Sequence, residues 1–341
     1  MATRTPVEWT VADAPPGKNT NPVLQVIDLK VTYYTDAGRA TALDGVTLSL
    51  SAGEKLGLVG ESGSGKSTMA LAMMRMIKPP GRIEGGQVIV DGIDLTKLTD
   101  LEMLHARLSK IAYIPQGVMN SLNPVMRIGA QMMDSIQAHD PKASRREIQE
   151  RSIEALRSVD LKPDVFRMFA HELSGGMKQR VCIAIGILLG PKVIICDEPT
   201  SALDVVTQRQ VMETIDKVQD ALGAAVILIG HDMGLMAQFV DKVAVMYAGR
   251  LMELATVRGM FTDPKHPYAQ ALISSLPNLE NKGVFRGIPG LAPSLLRLPA
   301  GCPFHPRCPQ VMDICKTTKP IYQQLPDGRW VYCHLYQEAR V

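Results

Sequence analysis

The sequence predicts an α/β fold with a mainly parallel sheet flanked by helices. Two observations predict this class. A glycine-rich motif stands between an apolar run of strand length and a helical stretch. Further short apolar runs, at residues 193–196, 225–229 and 242–246, then alternate with helical stretches. Parallel strands joined by helices have this order along a chain.

The N-terminal part predicts a tail and two strands. Residues 1–21 hold Pro15, Pro16 and Gly17 but no apolar signal core, so we expect a disordered tail and no targeting segment. Residues 23–34 and 42–50 alternate as strands, with a turn at residues 36–38 between them.

The glycine-rich motif follows a third predicted strand at residues 55–59 and fits G-x-x-x-x-G-K-[ST], a phosphate-binding loop. It consists of Gly60, Glu61, Ser62, Gly63, Ser64, Gly65, Lys66, Ser67 and Thr68. Its glycines let backbone N–H groups converge on phosphate oxygens, Lys66 meets the outer phosphates, and the Ser67 hydroxyl can ligate Mg²⁺. The motif predicts that the chain binds a nucleoside triphosphate.

The apolar run at residues 193–196 ends in Asp197 and Glu198. Ligands of parallel sheets gather at the carboxyl ends of the strands. Asp197 would then hold Mg²⁺ through water, and Glu198 would orient or deprotonate the attacking water. Taken alone, such an acidic pair is as often a solvated loop.

A second predicted anion site precedes the apolar helical run at residues 181–189. Leu173, Ser174, Gly175 and Gly176 stand at its start, with Ser174 as an N-cap and the glycines exposing N–H groups. One chain offers no second phosphate for this site. The helical run itself is too short to span a bilayer.

Four cysteines, Cys302, Cys308, Cys315 and Cys333, lie in a C-terminal segment in which proline and glycine are frequent. In a reducing compartment such a cluster suggests metal in preference to disulfides. The spacing lacks Cys-x-x-Cys pairs, and two of the cysteines precede proline, which favours an iron–sulfur cluster. Zinc, with His305 or His334 as further ligands, and uncoordinated thiols remain alternatives.

Together with Ser201–Asp204 and with His231 after the strand at residues 225–229, these motifs resemble the ATP-binding subunit of ABC transporters. Leu-Ser-Gly-Gly is the specific part of the match. The resemblance implies an ABC ATPase domain at residues 22–255, with an antiparallel β-subdomain and a helical subdomain inserted at about residues 117–172. The helical periodicity of that insert agrees.

The family's functional residues can be carried over one by one. Lys66, Glu198, Gln116 and His231 would be catalytic, with His231 near the γ-phosphate. Gln116 would also sense Mg²⁺, which Ser67 and Asp197 would help to bind. Tyr33, or Tyr34 if the strand register slips by one residue, would stack on adenine. The resemblance implies that the opposite subunit's nucleotide is contacted by Ser174, Gly175, Gly176 and Asp204. Alone, His231, Gln116 and Tyr33 would more often be structural residues, and only their joint order favours the functional interpretation.

Residues 256–341 resemble the C-terminal extension of oligopeptide and dipeptide importer ATPases, through His266-Pro267-Tyr268, Gly301-Cys302-Pro303-Phe304 and Pro306-Arg307-Cys308. Members of that subgroup are associated with a 4Fe-4S cluster and carry peptides, nickel, opines or oligosaccharides. The implied partners are a second ABC ATPase subunit, identical or paralogous, two transmembrane permease subunits and, indirectly, an extracytoplasmic solute-binding protein. The implied location is peripheral, on the cytoplasmic face of the inner membrane.

Two other functions compete with this interpretation. A non-transport ABC ATPase of DNA repair or translation would need a coiled-coil insertion, a second cassette or a basic face, and the net charge of +3 predicts no nucleic-acid partner. A redox-sensing module with a degenerate ATPase would need the cysteines alone to be active. Intact Lys66, Asp197, Glu198 and His231 argue against it.

Overall fold

A computed structural model describes residues 22–117, 121–276 and 287–337. The predicted disordered tail at residues 1–21 lies outside the described residues. Two compact units are present. The first unit takes in the described parts of Met1–Ser51, Gly60–Ile89 and Lys242–Val341, and the second unit takes in Ala52–Val59 and Val90–Asp241. Both the phosphate-loop motif and the four cysteines therefore belong to the first unit.

The strands are β1 (Leu24–Thr35), β2 (Gly38–Leu50), β3 (Lys55–Val59), β4 (Gly81–Val90), β5 (Ile93–Asp94), β6 (Ile111–Ile114), β7 (Val193–Asp197), β8 (Ala225–Ile229), β9 (Lys242–Tyr247), β10 (Arg250–Thr256), β11 (Tyr322–Gln324) and β12 (Trp330–Tyr332). The α-helices are α1 (Lys66–Met73), α2 (Asp100–Ala106), α3 (Ile128–Gln137), α4 (Arg145–Ser158), α5 (Gly175–Ile187), α6 (Val205–Leu222), α7 (Met233–Met236), α8 (Val257–Thr262), α9 (Pro267–Ser274) and α10 (Asp313–Thr317). Short 3₁₀ turns lie at Leu95–Lys97, Pro163–Arg167, Ala170–Glu172, His305–Arg307 and His334–Tyr336.

The first unit is built on antiparallel pairing. β1 and β2 pair from Leu24 opposite Leu50 to Thr35 opposite Gly38, and β4 lies on the other side of β1. A second antiparallel group has the order β11, β12, β10, β9. Side chains of β1 alternate between buried and partly exposed positions, as expected of strands with one face on a core.

The second unit contains the predicted parallel sheet, in the order β3, β8, β7, β6. Every residue of β7 and of β8 is buried, which explains why both strands are continuous apolar runs in the sequence. Helices α3 and α4 lie within the predicted helical insert, where Gly129 leaves room for the Phe166 ring. The parallel order brings the carboxyl ends of β6, β7 and β8 to the same edge of this sheet.

The exact domain boundaries at residues 22, 117, 172 and 255 stay predictions, since the two units divide the chain along other lines. Among the described residues, no helix combines the length and the apolar character needed to cross a membrane.

Candidate active site

The phosphate-loop motif forms a tight turn that only glycine permits at two positions. Gly60 has φ +149°, and a Cβ there would lie 2.1 Å from the carbonyl oxygen of Met246. Gly65 has φ +104°, and its Cβ would lie 2.7 Å from the carbonyl oxygen of Ala42. Glycine is therefore needed at both positions for two reasons: the backbone has a positive φ, and a neighbouring carbonyl oxygen lies too close for a side chain.

Lys66 begins helix α1 and is buried. Its Nζ donates to the carbonyl oxygens of Gly60 at 2.8 Å and Glu61 at 3.0 Å, and to Ser64 Oγ at 3.4 Å. The ammonium group is thus held against the backbone of its own loop. Ser67, the next residue, is exposed, so its hydroxyl is open to a ligand.

In the second unit, Asp197 ends β7 and is 1% exposed. Its Oδ2 accepts a hydrogen bond of 3.0 Å from the Tyr113 hydroxyl at the end of β6. Burial, together with the adjacent Asp197 charge, raises the pKa of Tyr113 well above its usual range, so this phenol stays a donor at neutral pH. Sequence reasoning did not assign Tyr113 a role, although the parallel pairing of β6 and β7 explains the contact.

Glu198, Gln116 and His231 come together at the same sheet edge. Gln116 Nε2 donates to Glu198 Oε2 at 2.7 Å, and His231 Nδ1 lies 3.8 Å from Glu198 Oε1. Glu198 has φ +45°, an uncommon backbone conformation for a residue other than glycine. Glu198 and His231 also line one cavity of the second unit. A carboxylate placed between an amide and an imidazole can orient a water molecule and accept its proton.

Ser174 is the N-cap of α5, as predicted, and its Oγ accepts a 3.3 Å hydrogen bond from the Met177 N–H. Its side chain is exposed. Gly176 is needed for packing, because a Cβ there would lie 2.5 Å from Thr207 Cγ2. Asp204 caps α6 by accepting from Thr207, whose hydrogen bonds lower the pKa of Asp204. The predicted role of these residues toward a second subunit stays a prediction.

The two candidate adenine-stacking tyrosines differ in their surroundings. The Tyr34 ring lies beneath the Arg39 and Arg82 guanidinium groups, at 5.2 and 5.5 Å from their central carbons. Tyr33 is half-buried, and Gly81 leaves space for the edge of its ring. The choice of Tyr33 stays a prediction.

The cysteine cluster lies in the first unit, where Cys302, Cys315 and Cys333 are buried and Cys308 is half-buried. The Cys302 N–H donates to the Cys315 carbonyl oxygen at 2.9 Å. Burial raises the pKa of Cys302 to about 12 and of Cys333 to about 11, and the other cysteine charges add to both shifts. Within residues 22–117, 121–276 and 287–337, however, no group of three or more His, Cys, Asp or Glu is arranged to hold a metal ion. The geometry therefore does not support the predicted iron–sulfur or zinc site.

The C-terminal segment also reaches the phosphate loop. The Glu61 carboxylate pairs with both terminal nitrogens of Arg307, at 2.7 and 2.9 Å, and the Glu61 N–H donates to the Tyr268 hydroxyl at 2.9 Å. Tyr268 and Arg307 both lie in sequence motifs of the predicted C-terminal extension. No sequence signal could link Arg307 to a residue 246 positions earlier.

Comparison with known proteins adds two family matches. Residues 43–201 match the ABC transporter family, and residues 252–315 match the oligopeptide/dipeptide transporter C-terminal region. The oligopeptide transport ATP-binding protein OppD of Salmonella typhimurium is 44% identical over 317 residues, which cover 92% of this chain and 93% of that protein. The chain belongs to the ABC transporter ATP-binding proteins of the oligopeptide/dipeptide type. The resemblance predicted from the motifs is thereby confirmed.

Other relatives agree with this membership. The dipeptide transport ATP-binding protein DppD of Caldanaerobacter subterraneus is 41% identical, with 93% of this chain and 98% of that protein covered. The dimeric, post-hydrolysis structure of the ATP-binding cassette MJ0796, bound to ADP and Pi, matches with a TM-score of 0.62 and 28% identity, over 69% of this chain and 99% of that one. These matches confirm the predicted ABC ATPase fold, and they favour a transport subunit over a non-transport ATPase or a redox sensor.

Proposed function

We propose that the chain is the ATP-hydrolysing subunit of an ABC importer and that it powers uptake of peptides. The observation that carries the proposal is the Glu198 carboxylate, hydrogen-bonded to Gln116 and within 3.8 Å of His231, directly after the buried Asp197. A binding module without turnover would not need a base oriented in this way. The oligopeptide and dipeptide transport proteins among the relatives support the cargo class.

Two groups of residues supply the chemistry. In the first, the phosphate loop offers backbone N–H groups and the Lys66 ammonium to the phosphates of ATP. In the second, Glu198 takes a proton from the attacking water while Gln116 and His231 hold it in place. Ser67 and Asp197 carry oxygen donors of the type that Mg²⁺ prefers, and a bound Mg²⁺ would neutralise charge that develops on the phosphates.

Transport requires partners, and the proposal includes them. Ser174, Gly175, Gly176 and Asp204 would contact ATP held by a second ATPase subunit, which the single phosphate loop of this chain makes necessary. The exposed position of Ser174 supports this role. Two permease subunits and a solute-binding protein would complete the importer, with this chain on the cytoplasmic face of the membrane.

The test is assembly and stimulation. The chain should copurify with the permease subunits, and peptides presented by the solute-binding protein should raise the ATPase rate of the reconstituted complex. The matched control is the same complex with Lys66→Ala, in which loss of nucleotide binding should remove the rate with and without peptide. Stimulation by nickel, an opine or an oligosaccharide in place of peptides would overturn the cargo assignment, and failure to assemble would overturn the transport role.

As a second function, we propose that the four cysteines bind a metal centre, with an iron–sulfur cluster ahead of zinc. The observation that favours it is that all four cysteines lie in one unit, where the 2.9 Å hydrogen bond between the Cys302 N–H and the Cys315 carbonyl oxygen joins the backbones of two of them. The described residues contain no group of side chains arranged to hold a metal ion, so the test of this proposal is the metal content of the purified protein. Anaerobically purified protein with iron and sulfide in near-equal amounts supports the cluster, one zinc replaces it, and absence of both refutes the proposal.

A further inference from the structure

Glu61 places a negative charge on the loop that is proposed to bind a triphosphate. Three contacts hold this residue: its carboxylate accepts from Arg307, its N–H donates to Tyr268, and its carbonyl oxygen accepts from Lys66 Nζ at 3.0 Å. Because like charges repel, a carboxylate at this position opposes the binding of phosphate unless it is neutralised.

Arg307 is built to neutralise it. The guanidinium reaches both Glu61 oxygens, a bidentate arrangement that a single ammonium cannot reproduce. Its remaining hydrogen bonds go to the carbonyl oxygens of Ile288 and Pro289, at 3.0 and 2.8 Å, and to the Tyr247 hydroxyl at 3.2 Å. The Arg307 side chain is 5% exposed, against 28% for Glu61, so the pair is largely shielded from solvent screening.

An aromatic group fixes this arginine in the fold. The Tyr247 ring lies 4.6 Å from the Tyr268 ring and 5.3 Å from the Phe304 ring, between centroids. The central carbon of the Arg307 guanidinium lies 5.7 Å from the Tyr247 centroid. Arg307 therefore contacts strand β9 through Tyr247, and the Tyr247 ring is itself packed against helix α9 and against Phe304.

We propose that Arg307 is a positioning residue of the ATP site: it cancels the Glu61 charge and fixes the first half of the phosphate loop for nucleotide binding. The inference rests on the proposed ATP-binding function and deepens it. It predicts that the C-terminal segment sets the affinity for ATP even though its residues hold no phosphate themselves.

The experiment compares variants of the full chain by titration with a fluorescent ATP analogue, and by KM and kcat in the assembled complex. Arg307→Ala leaves the Glu61 carboxylate uncompensated, so we expect ATP affinity to fall on the order of tenfold, which corresponds to about 1.4 kcal/mol. The loss should appear in KM more than in kcat. Arg307→Lys keeps the charge but loses the bidentate geometry, so its ATP affinity should lie between those of the parent and Arg307→Ala.

Rescue separates the charge role from simple packing. Glu61→Gln in the Arg307→Ala background removes the uncompensated charge, so the double variant should recover most of the lost affinity. Lys316→Ala, which breaks an exposed pair with Asp313 in the same segment, is the matched control and should bind like the parent. Should Arg307→Ala not yield folded protein, Arg307→Gln applies the same charge test with more of the side chain retained.

The outcomes are distinct. If the parent chain itself does not bind ATP, the proposed function fails, and this inference fails with it. If the parent binds ATP and the Arg307 variants bind equally well, only the inference is overturned. A loss of affinity that Glu61→Gln does not restore, with a lowered melting temperature, would also overturn it and leave Arg307 as a packing residue.

Discussion

Gly60→Ala tests whether the shape of the phosphate loop controls nucleotide binding. A Cβ at Gly60 would lie 2.1 Å from the backbone oxygen of Met246 and 3.0 Å from Ser64 Oγ, at a φ of +149°. Gly63 provides a matched control in the same loop. Its φ is +76°, and a Cβ there would meet nothing within 4 Å. The two substitutions thus add the same methyl group, with a clash at one position and open space at the other.

The magnitudes follow from these distances. Since real Cβ atoms essentially never come within 3.0 Å of another heavy atom, the loop must shift by about 0.9 Å at position 60 to escape the 2.1 Å contact. A misplacement of about 1 Å can cost an enzyme roughly 100-fold in rate, and phosphate hydrogen bonds displaced by that distance should cost a comparable factor in ATP affinity. Gly63→Ala carries only the strain of a positive φ, about 1–2 kcal/mol, and that strain lowers stability more than affinity.

The assay is nucleotide titration of both variants, alongside thermal unfolding. We expect Gly60→Ala to lose roughly 100-fold in ATP affinity and Gly63→Ala less than about tenfold, which is about 1.4 kcal/mol. Equal affinities for the two variants would refute the reasoning from backbone approach.

Three further predictions concern other contacts. Tyr113→Phe removes the hydrogen-bond donor to Asp197, and a hydrogen bond to a charged group is worth about 1.5–3 kcal/mol. The Mg²⁺ concentration that gives half-maximal ATPase activity should therefore change at least severalfold. Nucleotide binding measured without Mg²⁺ should stay at the parental value. Gly175→Asp should leave ATP binding by the isolated chain intact and abolish hydrolysis in the assembled complex, and equal loss of binding in a monomer would contradict the role toward a second subunit. Burial lowers the pKa of His266 from 6.5 to about 3. Between these two pH values the histidine is protonated in the unfolded chain but neutral in the folded chain, so the free energy of unfolding should fall as pH drops below 6.5. His266→Asn, which keeps an acceptor for the Tyr268 N–H, should flatten that slope between pH 6.5 and 4 in denaturant titrations, and an unchanged slope would show that other groups carry it.

Elements with strong local signals were predictable from the sequence. The structure confirms β3 and β8 with the predicted bounds, and it confirms Ser174 as an N-cap. Helix α5 begins at Gly175, directly after that N-cap, and ends at Ile187, two residues before the end of the predicted run at residues 181–189.

Other elements had weaker or overlooked signals. Helix α2 carries a capping box between Thr99 and Glu102, a pattern that the sequence displays and that our prediction did not use. Strands β9 and β10 are joined through Ala248 and Gly249, both with positive φ, and β10 was not predicted. A non-glycine residue with positive φ gives no clear turn signal in a sequence.

The residues of the candidate site could be proposed from the sequence, but their contacts could not. Motif order pointed to Gln116, Glu198 and His231, whereas the Tyr113 and Arg307 contacts depend on tertiary packing. Asp197 and Tyr113 meet because two strands lie side by side, and Glu61 and Arg307 meet across 246 positions of chain. The expected metal site shows the converse, since cysteine spacing and the family resemblance predicted a ligand set that the described residues do not form.

The most direct test of the central claim is single-turnover hydrolysis by Glu198→Gln in the assembled complex, with ATP binding measured on the same sample. The substitution keeps size and polarity but removes the base, so we predict parental ATP affinity with a hydrolysis rate lower by about 10²–10⁴-fold. Lys66→Ala serves as the contrasting variant and should lose binding. Hydrolysis by Glu198→Gln at the parental rate would contradict the assignment of Glu198 as the base that drives ATP hydrolysis in this protein.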